Sequence, residues 1–506
     1  MTASTVSELL ARGADGAAAI LAPDRPTLTY GGLRALATAT VSRLNALGIG
    51  RDDRVAIVLP NGPEMAACFV AVAAGATTAP LNPGYRADEF RFYLEDLKAK
   101  ALFVERGSDS PAIAVARELG VAIYEIAVAD GAPAGTFTID GPAQGKAAKP
   151  GPAGPEDVAL VLHTSGTTSR PKIVPLSQTN ICASARHIGE TLALTADDRC
   201  MNIMPLFHIH GLIAAVLSSL AAGASVYCTP GFNALRVFAW LDDAKPSWYT
   251  AVPTMHQAIV ARAERNKESV ARAKLRFIRS SSSSLPPQVM AELEATFGAP
   301  VIESYGMTEA AHQMASNPLP PRARKPGAVG IAAGPEVAIM DEGGKLLPRG
   351  AIGEIVIRGP NVTKGYEANP KANAEAFIDG WFRTGDQGSF DEDGYLSLTG
   401  RLKEIINRGG EKISPREVDE VLLDHPAIAQ AVTFAVPHDK LGEEVGAAIV
   451  LREGQTASEQ DIRSFAATRL ADFKVPRKVV ILDEIPKGAT GKLQRIGLAQ
   501  KLGLGA

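Results

Sequence analysis

The chain has 506 residues, 46% hydrophobic and 21% charged, a globular composition long enough for one large unit and a smaller one. Lys and Arg total 52 against 55 Asp and Glu, and the formal charge of −3 excludes the basic field that nucleic-acid binding needs. Its four cysteines, Cys68, Cys182, Cys200 and Cys228, lack C-x-x-C spacing, so a reducing cytoplasmic setting is expected rather than a disulfide framework or a zinc site.

Glu8, Arg12 and Asp15 interrupt the first residues, so no apolar leader is expected. RVAIVLPNG, Arg54 to Gly62, reads as a strand ending in a turn, and PEMAACFVAVAAGA after it opens with Pro63, favoured at a helix start. ALFVERG and VAIYEIAV continue the beat of strand and helix. Such alternation predicts doubly wound parallel sheets, with helices on both faces and ligands at the carboxyl ends of strands. The Gly-, Pro- and Ala-rich stretch from Ala127 to Asp157 reads as a surface excursion. No charged residue stands between Arg199 and Arg236, and GLIAAVLSSLAAGASVYC approaches the length of a membrane span. Its serines and small residues predict a buried helix and strand in a soluble protein instead. From about Asp341 short strands and turns predict a β-rich subdomain, and after Arg401 a separate mixed α and β unit begins.

The chemistry starts at DVALVLHTSGTTSRPK, Asp157 to Lys172, where an apolar strand delivers Thr164, Ser165, Gly166, Thr167 and Thr168 into a turn. Hydroxyls and backbone N–H groups there can wrap an anion, and Lys172 adds charge. The Walker spacing is absent, which disfavours an ordinary P-loop NTPase. GAPVIESYGMTEA, Gly298 to Ala310, is a second strand running into a polar turn, with Thr308 as a donor beside Glu309, a hard oxygen ligand suited to magnesium. WFRTGDQG places Asp386 in a turn, where its carboxylate can accept from ribose hydroxyls. GRLKEIINRGGEKISP follows with Arg401, and PKGATGKLQR sets Lys492 in a glycine-flanked loop.

These motifs, in this order, resemble the adenylate-forming enzymes, the superfamily of acyl-CoA synthetases, luciferases and peptide-synthetase adenylation domains. The resemblance runs from TLTYGGL, beginning at Thr27, to KLQR, ending at Arg495. It implies an α/β fold, with a large N-terminal domain (residues 1–400) of doubly wound sheets plus a β-rich subdomain, and a small C-terminal α+β domain (residues 401–506). The hinge it implies is Lys403. Ser169 and Ile173 depart from the pattern, standing where glycines are common.

The same resemblance implies ATP, Mg2+ and coenzyme A as co-substrates of a two-step reaction. A carboxylate attacks the α-phosphorus to give acyl-AMP and diphosphate, and the CoA thiol then displaces AMP. By this resemblance Lys492 bridges the carboxylate and the α-phosphate, Thr308 contacts that phosphate and Glu309 holds the magnesium. The loop from Thr164 to Thr168 with Lys172 holds diphosphate, Asp386 and Arg401 fix the ribose, and Tyr305 lies against adenine within the nucleotide-lining run Glu303, Ser304, Tyr305, Gly306 and Met307. Arg408, Gly409, Gly410 and Lys474 face CoA.

The stretch RFIRSSSSSLPP falls where the family reads roughly S-G-G-A-x-L along the acyl pocket. Ser281, Ser282 and Ser283 replace glycine, glycine and alanine there, and a bare wall gains hydroxyls. With His208 of PLFHIHG and His312 of EAAHQM they make a polar pocket with donors for a second anionic group, poorly suited to a fatty tail. The ensemble is most similar to the oxalate-activating CoA ligases of the superfamily, with malonate or another short acid as the alternative. An amino-acid adenylation domain is disfavoured because Asn233, not aspartate, follows Phe232. A luciferase is disfavoured by the polar pocket, and a nucleotide-binding scaffold without catalysis by the presence of Lys492, Glu309 and Asp386.

Overall fold

The computed structural model describes residues 3–143, 145–164, 171–486 and 494–504. The helix Pro63–Ala73 shows how the core is built. Nearly every side chain it carries is apolar, so no face of it can meet water. It is buried between two sheets, touching the strand Thr77–Pro80 of one and the strands Ala18–Leu21 and Ser225–Cys228 of the other. The helix Gln178–Thr191 bridges the same two sheets.

The first sheet has seven strands in the order Thr138–Asp140, Ala122–Ala127, Ala101–Glu105, Arg54–Val58, Thr77–Pro80, Val158–His163 and Ile173–Ser177. The second has nine, with Val301–Met307, Phe277–Ser280, Trp248–Ala251 and Arg199–Asn202 side by side. Interior pairings are parallel, as the strand and helix alternation predicts. Antiparallel strands close the edges: Ile173–Ser177 folds back on Val158–His163, and His312–Ser316 on Val301–Met307. Both returns follow directly from strands that carry the functional motifs.

The β-rich sheet begins at Glu336–Met340, a few residues before the expected Asp341. Asp386 lies within the strand Trp381–Phe390, not in a turn. The turn signal there comes from Gly385, whose φ of +74° bends the strand next to a register shift between Gln387 and Gly388 without ending it. A fourth sheet starts after Arg401 with Ile406–Arg408 and Glu411–Ile413, and its long hairpin Ile428–His438 and Gly442–Leu451 packs on the helices Pro415–Leu423 and Glu459–Ala467. The uncharged stretch after Arg199 forms a π-helix His210–Leu217, a helix Ser218–Ala221 and the strand Ser225–Cys228, almost wholly buried. Among the described residues no helix is long and apolar enough to cross a membrane.

Gly330 ties the nine-stranded sheet to the β-rich one. Its carbonyl accepts from the Leu396 amide at 2.7 Å, and a Cβ on it would stand 2.0 Å from the Ser316 carbonyl. With φ at +92° the position is closed to other residues. Gly330→Ala is therefore expected to destabilise the fold by about 2 kcal/mol or more, seen as a lower thermal midpoint in calorimetry. An unchanged midpoint would contradict this packing.

Candidate active site

The carboxyl ends of Phe277–Ser280 and Val301–Met307 open into a cleft of about 480 Å³ that reaches the fourth sheet. Glu303, Ser304, Tyr305, Gly306 and Met307 all line it, as do Asp386 and Arg401. The Tyr305 hydroxyl donates to one oxygen of Asp386, and Arg401 Nε sits 3.3 Å from the other. Asp386 is thus held in place with a cation beside it, at the rim of a buried aromatic ring. Gly306 has to be glycine, because a Cβ there would stand 1.9 Å from the His312 carbonyl oxygen. Glu303 is 1% exposed; one oxygen accepts from the Leu285 amide at 3.0 Å and the other has no hydrogen-bond partner among the described residues. Burial pushes its carboxyl up to about 7, against the opposing pull of Arg416.

At the other end Thr164 and Lys172 close the neck of the hydroxyl-rich loop. The Thr164 amide donates to the Lys172 carbonyl at 3.0 Å, and the Lys172 amide to Thr164 Oγ1 at 3.2 Å. Lys172 Nζ stands 4.3 Å from the centre of the Tyr366 ring, and the Tyr366 hydroxyl donates to Glu309 at 2.8 Å. A cation, an aromatic hydroxyl and a carboxylate are therefore in series. Glu309 is buried, which raises its pKa, while Tyr366 and then Lys172 act in the opposite direction. A buried, hard carboxylate of this kind fits Mg2+, whose other ligands would be phosphate oxygens and water. Among the described residues no cluster of three metal-ligating side chains forms a cage. Thr308 stands beside Glu309 in a single 3₁₀ turn. Ser165, Gly166, Thr167, Thr168 and Lys492 lie outside the described residues.

The end of the cleft near Ser282 and Ser283 meets only some of the residues expected there, and His312, which is buried, is not among those that line it. His208, Ser282 and Ser283 line the cleft. Ser281 turns away from it: its hydroxyl donates to the Ser304 carbonyl at 3.0 Å and joins the two strands. Ser282 instead meets the second histidine of PLFHIHG, with His210 Nδ1 at 3.0 Å from its Oγ. His210 Nε2 lies 2.6 Å from Thr250 Oγ1, and its ring centre is 5.1 Å from that of His312.

Behind these groups stands Arg279, 0% exposed, with its guanidinium 3.3 Å from Gln313 Oε1 and at 3.5 Å from both Thr250 Oγ1 and His312 Nδ1. Among the described residues its Nε has no hydrogen-bond partner and no carboxylate pairs with it. Burial lowers its pKa to about 9, so it remains charged at neutral pH. The missed signal was a lone charge inside the apolar strand Phe277–Ser280, which a membrane-free core tolerates only for a reason. Backbone strain gathers here too, with φ of +73° at Ser282, +47° at Ala311 and +107° at His312.

Lys403 is exposed in the turn between the strands Leu396–Arg401 and Ile406–Arg408. Arg408 pairs with Glu444 at 2.6 Å and is followed by Gly409 and Gly410 in a tight turn; Lys474 pairs with Glu417 at 2.6 Å. None of Lys403, Arg408, Gly409, Gly410 and Lys474 lines the cleft in this conformation.

The sequence profile of AMP-binding enzymes matches residues 9–367, and that of the AMP-binding enzyme C-terminal domain matches 417–492. The chain belongs to the AMP-binding enzyme family. Among relatives of this AMP-binding enzyme, the oxalate–CoA ligase of Arabidopsis thaliana is 48% identical over 479 residues, 94% of this chain and 93% of that one. The oxalate–CoA ligase of Saccharomyces cerevisiae is 44% identical over 475 residues, 89% and 87% of the two chains. The crystal structure of ATP-bound MatB from Rhodopseudomonas palustris superposes with a TM-score of 0.87 at 30% identity, covering 97% of each chain. The architecture of large and small units is that of the adenylate-forming fold.

Tyr366→Phe keeps the ring under Lys172 but removes the hydrogen bond to Glu309, so the carboxylate should bind a divalent cation less well. The half-saturating Mg2+ concentration for ATP–diphosphate exchange is expected to rise about three- to tenfold. An unchanged value would exclude this support for Glu309.

Proposed function

We propose that this AMP-binding enzyme is an ATP-dependent acid–CoA ligase that converts oxalate, CoA and ATP into oxalyl-CoA, AMP and diphosphate. The observation that carries the choice of acid is the buried guanidinium of Arg279, without a carboxylate partner among the described residues, near the polar side chains of His210, Ser282 and His312. A small second carboxylate would supply the missing negative charge. An apolar tail would leave a buried cation and several polar groups uncompensated. Two relatives named as oxalate–CoA ligases are 48% and 44% identical to this chain over the aligned residues, which supports the same reading.

The first half-reaction needs no base, because the acid is ionised at neutral pH. Its difficulty is the approach of an anion to a polyanion, which is a matter of alignment and of cations and donors already in place. In this reading an oxalate oxygen attacks the α-phosphorus, the P–O bond to the β-phosphate breaks, and diphosphate leaves toward Lys172 and the loop Thr164 to Thr168. Lys492 neutralises charge between the carboxylate and the α-phosphate, and Thr308 donates to that phosphate. Magnesium held by Glu309 would supply electrostatic stabilisation of the phosphate oxygens. Asp386 and Arg401 hold the ribose, with Tyr305 against the base.

In the second half-reaction the CoA sulfur attacks the oxalyl carbonyl carbon, the C–O bond to AMP breaks, and AMP leaves with the electron pair. Residues 401–506 turn about Lys403, withdrawing Lys492 and bringing Arg408, Gly409 and Gly410 to CoA, a domain closure of ordinary kind. Lys474, in the same unit, adds charge for the CoA phosphates. His208 stands at the passage between acid and thiol. The cysteines are all buried and unpaired, which suits a reducing cytoplasm.

Ser282→Ala and His312→Ala are each expected to raise the KM for oxalate about tenfold or more, the loss of a hydrogen bond to a charged group. Acetate, with no second carboxylate, should show no such rise. Equal effects on both acids, or none on oxalate, would reject the pocket. Arg279→Met should weaken oxalate in the same way while leaving the thermal midpoint level or higher, since a buried unpaired cation opposes folding. Lys492→Ala should abolish ATP–diphosphate exchange yet spare thioester formation from supplied acyl-AMP; equal loss of both would refute its assignment.

A further inference from the structure

Four side chains at the Ser282 end of the cleft form a line whose hydrogen-bond directions follow one from another. Thr250 and Arg279 are paired on neighbouring parallel strands, so their side chains share a face of the sheet. Thr250 Oγ1 lies 3.5 Å from Arg279 Nη1 and 2.6 Å from His210 Nε2, and His210 Nδ1 lies 3.0 Å from Ser282 Oγ. Thr250 is fully buried, whereas Ser282, at the far end of the line, borders the cleft.

A guanidinium only donates, so Thr250 Oγ1 accepts on that side. The threonine hydroxyl still carries one proton, and at a site closed to water that proton needs an acceptor. Among the described residues its remaining partner is His210 Nε2. The Thr250 hydroxyl therefore donates to Nε2, which places the proton of the neutral imidazole on Nδ1. Nδ1–H then donates to Ser282 Oγ, and the Ser282 hydroxyl keeps its own proton to give. The reverse order would seat the ring proton on Nε2 and leave the Thr250 proton without an acceptor among the described residues, at a cost of about 1–3 kcal/mol. A doubly protonated ring would do the same, and would set a second cation one threonine away from the buried Arg279.

We infer that Thr250 is a positioning residue for the acid: by holding His210 in its Nδ1–H form, it makes the Ser282 hydroxyl a fixed donor toward the cleft. A group that only accepts, such as a carboxylate oxygen, suits that donor. An ammonium or amide N–H at the same point would meet it proton to proton. Arg279 does not line the cleft, and its charge reaches the acid through Thr250, His210 and Ser282, each polarised by the one before it. The identity of the acid rests on the ligase reading above; the direction of the line rests on the contacts alone.

Two measurements on the full-length chain test this. Long-range nitrogen–proton correlation spectra of protein labelled at its histidine nitrogens read which ring atom carries the proton, with the His210 signals identified by their loss in His210→Gln. At about pH 8, above the ordinary histidine range, His210 should be protonated on Nδ1 in the unliganded wild type and in Thr250→Ser, and should lose that preference in Thr250→Val. In ATP–diphosphate exchange Thr250→Val should raise the KM for oxalate about three- to tenfold, the scale of one lost hydrogen bond, with kcat and the KM for ATP within about twofold of wild type. Thr250→Ser keeps the hydroxyl and should hold the oxalate KM within about twofold of wild type. An oxalate KM that Thr250→Val leaves unchanged, or a KM for ATP that rises with it, would overturn the proposal. A proton on Nε2 or on both nitrogens of wild-type His210, with oxalate-dependent exchange intact, would overturn this inference alone. Nδ1–H in a wild type that shows no acid-dependent exchange would instead overturn the ligase reading, and the role of Thr250 with it.

Discussion

In the proposed reaction oxalate and a triphosphate repel each other, and the cleft would have to bring them within bonding distance without leaving its own charges uncompensated when they are absent. Much of the site reflects that constraint. At the nucleotide end each carboxylate has a donor or a cation at hand: Asp386 has Tyr305 and Arg401, and Glu309 has Tyr366 with Lys172 behind it. Those contacts keep the acids oriented while their burial favours a cation that would arrive with the nucleotide. At the acid end the balance is opposite. Arg279 carries positive charge into the core with no carboxylate partner among the described residues, and in the proposed reading an anion would offset it.

The fold brings Arg279 and the run Glu303 to Met307 together on neighbouring strands of the nine-stranded sheet, while Asp386 comes from the β-rich sheet and Lys172 adjoins the seven-stranded one. Arg279 and Thr250 are directly paired on neighbouring parallel strands, and the next pairing, Ser280 with Glu303, leads toward the nucleotide. A displacement of one residue in either register would turn Arg279 to the opposite face of the sheet. The π-helix that starts at His210 and the strained φ angles at Ser282 and His312 fit the same picture, because irregular backbone of this sort persists where side chains must be aimed at a ligand.

The motif-bearing turns were legible in the sequence because backbone chemistry writes them locally. A strand running into glycines, hydroxyls and a charged residue reads as an anion site whatever surrounds it, and the alternation of strands with helices such as Pro63–Ala73 reads as a doubly wound sheet. The edges were not legible: Ile173–Ser177 and His312–Ser316 turn back antiparallel, and a short apolar run does not reveal its direction. The acid pocket was read only in part. Ser282 and His312 could be picked out as polar residues in an apolar setting, but the division of labour between Ser281 and Ser282 depends on which way each faces, and the partnership of His210 with Thr250 joins positions far apart in the chain. Arg279 was visible all along as one charge in FIRS, and its meaning required knowing that no carboxylate pairs with it among the described residues.

Labelled diphosphate exchange into ATP, run with magnesium and a panel of oxalate, malonate, acetate and octanoate, tests the central claim most directly, since it isolates the step at which acid and nucleotide must meet. Exchange should be fastest with oxalate, weaker with malonate and near background with acetate and octanoate. Preference for octanoate, or no exchange with any diacid, would contradict the assignment of the buried cation and its hydroxyl-lined pocket to a short dianion.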